Sequence, residues 1–445
     1  MPHTRFLDNL DLLALHEAHP ERYPFLLESV ARGGDARYDI LFALPGETLS
    51  SAADGDFLAE LDVAWQHESA PVADDANIPF RGGWFLYLGY ELAAQIEPCL
   101  QLTPATDGLP VAFATRIPAA VIRDHQRGGL LLVAEQPEQL AQVQADIEAL
   151  PATVVTQDAP APLQLTLHEA DPAPYLAGVR RCKHYIVEGD VFQVNLSRPW
   201  RGELASDTCP ADIYRRLRRH NPAPFAGLAL YGDAAIISSS PERLVRVRGD
   251  RVDTRPIAGT RPRNTEAQED RALQDELLTH PKERAEHIML IDLERNDLGR
   301  ICTPGTVKVD ELMVLESYAH VHHIVSNVCG RLHPGITPGE VIRAVFPGGT
   351  ITGCPKVRCM EILSELEGEG RGAYTGSMGY LNRDGSLDLN ILIRTIVKHG
   401  QALSLRAGGG IVADSVPERE LEETRAKARG LLLALEQRPN LQWDR

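Results

Sequence analysis

The chain has 445 residues, 43% hydrophobic and 24% charged, which fits two or three average globular domains or one large composite α/β body. Its 45 basic and 62 acidic side chains leave a formal charge of −17. That charge makes nucleic acid and anionic membrane surfaces poor partners while leaving room for a local basic pocket.

Taken in order, Met1 to Asp11 carries charges and no sustained apolar core, so it does not read as a signal peptide. No apolar run approaches the ~20 residues a membrane helix needs. Residues 1–150 form a first α/β region in which short apolar runs such as Tyr38 to Phe42 and Gly83 to Leu88 alternate with turn signals. The proline-rich stretch from Pro151 to Pro162 reads as a surface connection, and 151–168 is taken as a linker to a second region, 169–440. Beyond it, strands are expected at Ala234–Ile237, Val321–Val328, Leu389–Val397 and Leu403–Ala407.

Three helices are expected. One runs from Pro281 to Leu298 and one from Pro355 to Glu367, each opened by proline; the second places Val357, Met360, Leu363 and Leu366 at helical spacing. The last runs from Ser415 into Leu435 behind a capping-box pattern, Ser415-Val416-Pro417-Glu418. The elements interleave without a βαβ rhythm. The expected fold is therefore α+β or mixed α/β, with large antiparallel sheets and helices packed on them, not a doubly wound sheet. Seven scattered cysteines without a C-x-x-C read as reduced cytoplasmic thiols, mostly core residues.

Several constellations can carry chemistry. Gly408-Gly409-Gly410 ends a strand before a short turn and a helix, and suits either a tight turn or an anion approached by bare N–H groups. Gly348-Gly349-Thr350-Ile351-Thr352-Gly353 places glycines and hydroxyls just before a helix N-terminus, also a ready anion site. Neither fits a P-loop or a dinucleotide fingerprint. Together they suggest a small ligand with more than one carboxylate or phosphate.

Glu420, Glu423 and Lys427 share a face of the last helix. The pair Glu423 and Lys427 suits solvated i,i+4 pairing; alternatively Glu423 and Glu286 hold Mg²⁺ on a substrate carboxylate. His323 alternates with Val321 and Val325, as a core histidine or a catalytic one would. In the run His320-Val321-His322-His323 the first and third residues point away from His323, so one strand does not offer all three to a zinc ion.

These segments, with Ser240-Pro241-Glu242-Arg243, Pro256-Ile257-Ala258-Gly259-Thr260 and Asp292 to Leu298, occur in the order found in chorismate-using enzymes. The chain resembles that family, which includes anthranilate, aminodeoxychorismate, isochorismate and salicylate synthases. The match is strongest over about 170–436 and weaker before it, at Leu26 to Ser29 and Gly89-Tyr90.

The resemblance implies a sandwich of large antiparallel sheets with helices outside, the second region being the chorismate-binding catalytic domain and the first part of a composite fold. It implies Mg²⁺ on Glu286 and Glu423. It implies substrate contacts from Gly259, Thr260, Tyr374, Arg394, Gly408, Gly409 and Gly410, with Lys427 adding charge beside the substrate. Glu242 and His323 would stand near the 4-hydroxyl as proton donors. Ser29, Pro224 and Phe225 match parts of a tryptophan pocket. With no glutaminase signature in the chain, the resemblance implies a separate amidotransferase subunit as the ammonia source.

Within the family, Gln193 stands where water-using members carry a general-base lysine, and a neutral amide does not activate water as an amine does. Ammonia is the expected nucleophile. Ala258 matches the anthranilate synthases; in many aminodeoxychorismate synthases a covalent lysine occupies that place. Thr352, where anthranilate synthases typically have serine, the run Phe192-Gln193-Val194-Asn195-Leu196 and Ser240 to Arg243 match the aminodeoxychorismate synthases. The expected reaction is amination of chorismate at C4 without a covalent lysine.

Overall fold

The computed structural model describes residues 2–7, 10–31, 37–51, 55–71, 78–150, 163–204, 208–264, 266–318 and 321–435. Two sheets dominate, of 12 and 10 strands among the described residues, and every strand pair in them is antiparallel.

The larger sheet joins five strands from the first 150 residues to strands of the later region. Its centre runs through Phe25–Glu28, Phe225–Tyr231, Ala234–Ser240, Thr395–His399, Ala402–Ile411 and Gln193–Leu204. The smaller sheet has Ile257–Pro262 at one end, then Val321–Arg331, Arg251–Arg255, Arg243–Arg248, Leu387–Asn390 and Ser377–Asn382, followed by Gly83–Leu88 from the N-terminal region. Both regions of the sequence thus build both sheets.

The sheets meet through an apolar layer. Phe25, Phe42 and Ile236 of the larger sheet pack with Phe85, Phe113 and Met378 of the smaller. The Phe25 and Phe85 rings stack with centroids 4.1 Å apart. Removing one such ring costs about 3–5 kcal/mol, transfer and cavity together. On the outer face of the larger sheet lie Leu12–Ala18, Pro137–Glu148, Pro210–His220 and Pro417–Ala434; on that of the smaller lie Phe57–Glu68, Pro281–Gly299 and Pro338–Val345. The order is helices, sheet, sheet, helices, as the family resemblance implies.

Several expectations are corrected. The stretch expected as one strand from Leu389 to Val397 is two, Leu387–Asn390 in the smaller sheet and Thr395–His399 in the larger. Between them the chain crosses from sheet to sheet, and Arg394 takes φ 55° to make the turn. Alternating apolar residues hide this crossing, because each half fits a strand. The 151–168 connection is also shorter than expected. Residues 151–162 lie outside the described ones, but Leu165–Glu169 is a strand on the flank of Gln193–Leu204, with Leu165 and Leu167 at period 2 packed on the core.

The last helix starts at Pro417, and its N-cap is Val416 with no side-chain cap. Ser415 is turned back instead, its Oγ accepting the Val412 N–H at 3.1 Å, so the capping box does not form. The helices expected at Pro281 and Pro355 are present as Pro281–Gly299 and Lys356–Glu367. All seven cysteines are free, four of them buried, and no described helix is long and apolar enough to cross a membrane.

Candidate active site

The candidate residues gather where the chain passes between the two sheets. One crossing runs from Ala234–Ser240 through Pro241 and Glu242 to Arg243–Arg248; the other carries Arg394. Backbone bonds lock the crossings side by side: the Ile391 N–H donates to the Glu242 carbonyl at 3.0 Å and the Ser239 N–H to the Arg394 carbonyl at 3.1 Å. The Ser240 hydroxyl adds a bond to the Ile391 carbonyl at 2.5 Å. Acid and cation are thereby placed by backbone rather than by flexible loops.

Glu242 is buried, and burial pushes its carboxyl up to about 7. A hydrogen bond from the Thr350 side chain, the Ile257 N–H 3.4 Å from its Oε1, and the Arg394 charge offset only part of that. Ile257 opens the strand that carries Ala258, itself buried and paired with Ile324. A bulge follows at Gly259, whose φ of 69° and 2.9 Å clearance to Glu283 Oε2 exclude a side chain. The side chain of Thr260 lies outside the described ones.

His323 pairs with Thr260 across this bulge, and its ring lies 5.9 Å from that of Tyr318. Burial first, then the Arg394 charge, pulls its imidazole down to about 4, while a bond to the Gly259 backbone works the other way. His323 is a neutral ring at physiological pH. His322 is turned elsewhere, 2.9 Å from Asp270 and 2.7 Å from the Ser317 hydroxyl; His320 lies outside the described residues.

Arg394 sits in the combined field of Tyr374, Glu423 and Glu242, which oppose the pull of burial on its guanidinium. Tyr374 reaches the glycine strand: a Cβ on Gly408 would stand 2.9 Å from its hydroxyl and 2.6 Å from the Leu196 carbonyl. A Cβ on Gly409 would stand 3.4 Å from Glu423 Oε1 and 3.5 Å from Lys427 Nζ. The strand continues through all three glycines to Ile411 instead of ending at them. Lys427 is committed twice, to Glu423 at 2.6 Å and to the Gly408 carbonyl at 3.1 Å, so the i,i+4 pair expected from the sequence is present.

Glu286 comes from the helix Pro281–Gly299 and meets Gln193, whose Nε2 donates to its Oε1 at 2.8 Å. Gln193 lies over Gly410, where a Cβ would stand 2.0 Å from Nε2. Glu423 thus stands beside Gly409, and Glu286, from a separate helix, is joined through the Gln193 amide to the neighbouring Gly410. Among the described residues no group of three or more His, Cys, Asp or Glu side chains forms a cage for a metal. Two carboxylates beside open glycine backbone suit Mg²⁺, which typically takes one or two protein carboxylates and completes its shell with ligand oxygens and water. This donor set fits that ion better than it fits zinc.

Thr352 is fully buried, and its hydroxyl donates to the Gly348 carbonyl at 2.9 Å, so it braces the turn. Two neighbouring polar atoms are buried with no protein partner, Gln193 Oε1 and Asn195 Oδ1, while the buried Thr350 hydroxyl faces Glu242. Asn195 and Thr350 were not singled out as site residues by sequence reasoning. Strand alternation supplied the missed signal for Asn195, two residues after Gln193 and on the same face. Arg371 was also missed; it is buried and donates to the carbonyls of Asn195 at 2.7 Å and Ile351 at 3.2 Å, tying strand to turn.

Ser29, Pro224 and Phe225 come together away from this centre, lining a cavity of about 80 Å³ with Glu28, Tyr380 and Asn390. The Ser29 hydroxyl donates to the Pro224 carbonyl at 3.2 Å.

Residues 24–433 match the family model described as chorismate binding enzyme. Anthranilate synthase component 1 of Thermus thermophilus is 41% identical, covering 93% of this chain and 92% of that protein. Aminodeoxychorismate synthase component 1 of Bacillus subtilis is 42% identical over 80% of this chain and 77% of its own length. The crystal structure of anthranilate synthase component I from Streptococcus pneumoniae superposes with a TM-score of 0.79 at 33% identity, covering 90% of this chain and 93% of that one. On the family model and these relatives, the chain belongs to the chorismate-binding enzymes.

Proposed function

We propose that the chain is the aminating component of an aminodeoxychorismate synthase, converting chorismate and ammonia to 4-amino-4-deoxychorismate for para-aminobenzoate and folate synthesis. The observation that carries the choice of ammonia is the Gln193 amide, held by Glu286 at 2.8 Å in the place of a water-activating base. An amide does not take a proton from water near pH 7, whereas ammonia attacks with its own lone pair. The choice of C4 rests on the match of Thr352, Phe192 to Leu196 and Ser240 to Arg243 to aminodeoxychorismate synthases.

In this reading Arg394, Tyr374 and the N–H groups of Gly408 and Gly410 orient chorismate by its carboxylates and ring. Glu286 and Glu423 hold Mg²⁺, which when bound neutralises substrate carboxylate charge. Glu242, raised to about 7, is protonated in a large fraction of molecules at neutral pH and gives its proton to the departing 4-hydroxyl. His323, lowered to about 4, is a neutral partner that shapes the pocket, which leaves Glu242 as the principal proton donor in this reading. Lys427, bound to Glu423 and the Gly408 carbonyl, sets the position of the metal carboxylate and adds positive charge. With alanine at 258, ammonia displaces the hydroxyl without an enzyme-bound intermediate.

The ammonia source is a glutamine amidotransferase subunit in the cytoplasm, and the cavity at Ser29, Pro224 and Phe225 takes tryptophan or a similar amino acid. A second reading, anthranilate synthase component I, is favoured by Ala258 and by the near full-length Thermus thermophilus relative. Chorismate, Mg²⁺ and an ammonium salt separate the two: aminodeoxychorismate with no pyruvate supports the first, anthranilate with pyruvate the second.

A further inference from the structure

Two side-chain amides lie on one face of the strand Gln193–Leu204, at Gln193 and Asn195. Each has its donor end fixed. Gln193 Nε2 donates to Glu286 at 2.8 Å, and Asn195 Nδ2 donates to the Thr350 carbonyl at 3.1 Å. Because a carboxylate and a carbonyl only accept, the orientation of both amides is determined by their partners. Their acceptor ends, Oε1 and Oδ1, are then left buried and unpartnered. Gly410, directly across from Asn195, leaves room for the Gln193 amide, whose Nε2 lies 2.0 Å from where a Cβ would stand.

We propose that Gln193 and Asn195 form the subsite of the nitrogen nucleophile, with Asn195 the unassigned residue that holds ammonia against the reacting ring carbon. The proposal rests on the reading of the chain as an ammonia user. Same-face residues of a strand stand about 6.6–6.8 Å apart, twice the rise per residue. An N–H···O bond spans about 2.9–3.0 Å, so two of them from one ammonia molecule reach acceptors about 4.7 Å apart, and one ammonia satisfies both when the longer Gln193 side chain leans toward Asn195. Ammonia then donates two N–H bonds and keeps its lone pair free for attack. Water in the same place also donates twice but finds no base in the pair to take its proton.

During amination the nitrogen lone pair forms the C–N bond at C4 as the C–O bond breaks. The hydroxyl takes the proton of Glu242 and leaves as water, and the surplus proton on nitrogen returns the acid to its starting state. Leaving a buried acceptor unpaired carries a desolvation cost, which ammonia binding recovers.

The test measures steady-state kinetics with an ammonium salt as the nitrogen source, varying free ammonia and chorismate separately, in wild type, Asn195→Ala and Asn195→Asp. Loss of one hydrogen bond raises the KM for ammonia about tenfold in Asn195→Ala while the KM for chorismate moves less than about twofold. Asn195→Asp keeps an acceptor but loses the donor to Thr350. If Asn195 only braces the turn, Asp behaves like Ala or worse; the proposal expects Asp to restore the ammonia KM to within about threefold of wild type.

An unchanged ammonia KM in Asn195→Ala, a parallel rise of both KM values, or failure of Asp to rescue overturns the subsite. Wild type that turns over chorismate while Asn195→Ala leaves the ammonia KM untouched sinks this inference alone. Wild type inert toward ammonia sinks the functional reading with it.

Discussion

Gln193 and Glu286 are joined by a 2.8 Å hydrogen bond that ties the strand Gln193–Leu204 of the larger sheet to the helix behind the smaller one. It couples the residue proposed to set the nucleophile to a residue proposed to hold Mg²⁺. Replacing Gln193 by lysine supplies an amine in the same place. Gln193→Lys is expected to lower ammonia-dependent amination at least about tenfold and to exchange the 4-hydroxyl oxygen of chorismate with oxygen-labelled water, as read by liquid chromatography and mass spectrometry.

Gly410 makes that bond possible. A Cβ there would stand 2.0 Å from Gln193 Nε2, so Gly410→Ala must displace the amide from Glu286. Turnover is expected to fall about 10²-fold with the midpoint of thermal unfolding nearly unchanged, since one misplaced group near the chemistry costs that much. Retention of wild-type turnover would mean that the amide is not where the chemistry occurs.

Glu242 predicts a pH dependence with a defined sign. Its folded-state value, about 7, lies above the ordinary carboxyl value, so the folded state binds this proton more tightly than the unfolded chain does. Its contribution to stability is present at low pH and is lost as pH rises through about 7. Activity per unit of free ammonia should fall over the same interval, because the acid form is the working one. Glu242→Gln should lower turnover about 10²- to 10⁴-fold, remove that descending limb, and unfold at a higher temperature than wild type at pH 8. A descending limb that persists in the variant assigns it to another group.

Ala258 is buried on the strand Ile257–Pro262, beside the Ile257 N–H that reaches Glu242. Wild type quenched during turnover is expected to carry no covalent chorismate by intact-mass spectrometry. Ala258→Lys, which brings an amine into the same strand, is expected to trap an adduct. An adduct on wild type would contradict direct displacement.

Arg371 supports the site from below and predicts a stability effect. It is buried against Glu367, with bonds at 2.7 and 2.9 Å, and Arg406 reaches the same carboxylate at 3.0 Å. Glu367 stays below the usual carboxylate range despite its burial because these two guanidinium groups face it. Arg371→Met removes one of them and the two carbonyl contacts, and is expected to cost about 3 kcal/mol in chemical denaturation. A change below about 1 kcal/mol would show that Arg406 alone neutralises Glu367.

The fold class and the family were legible in the sequence because its motifs are local. The segments around Glu242, Ala258, Glu286 and Gly408 to Gly410 each place one residue type on one short element, and the fold brings those elements together. Periodicity did not reveal the sheet crossings. Leu389 and Ile396 both continue an apolar pattern, yet they belong to different sheets, and the turn at Arg394 is a backbone event that its side chain does not announce. The cap at Ser415 failed for a similar reason: its hydroxyl had a nearer partner in the preceding turn. Strand alternation put Asn195 on the face of Gln193, but its unpaired oxygen becomes visible only when every neighbouring donor is in place.

The central claim is amination of chorismate at C4, and the product assay tests it most directly. The purified chain, with chorismate, Mg²⁺ and an ammonium salt, should yield aminodeoxychorismate with no pyruvate released, as followed by mass spectrometry and a coupled pyruvate assay. Anthranilate formed with an equal amount of pyruvate would contradict the account.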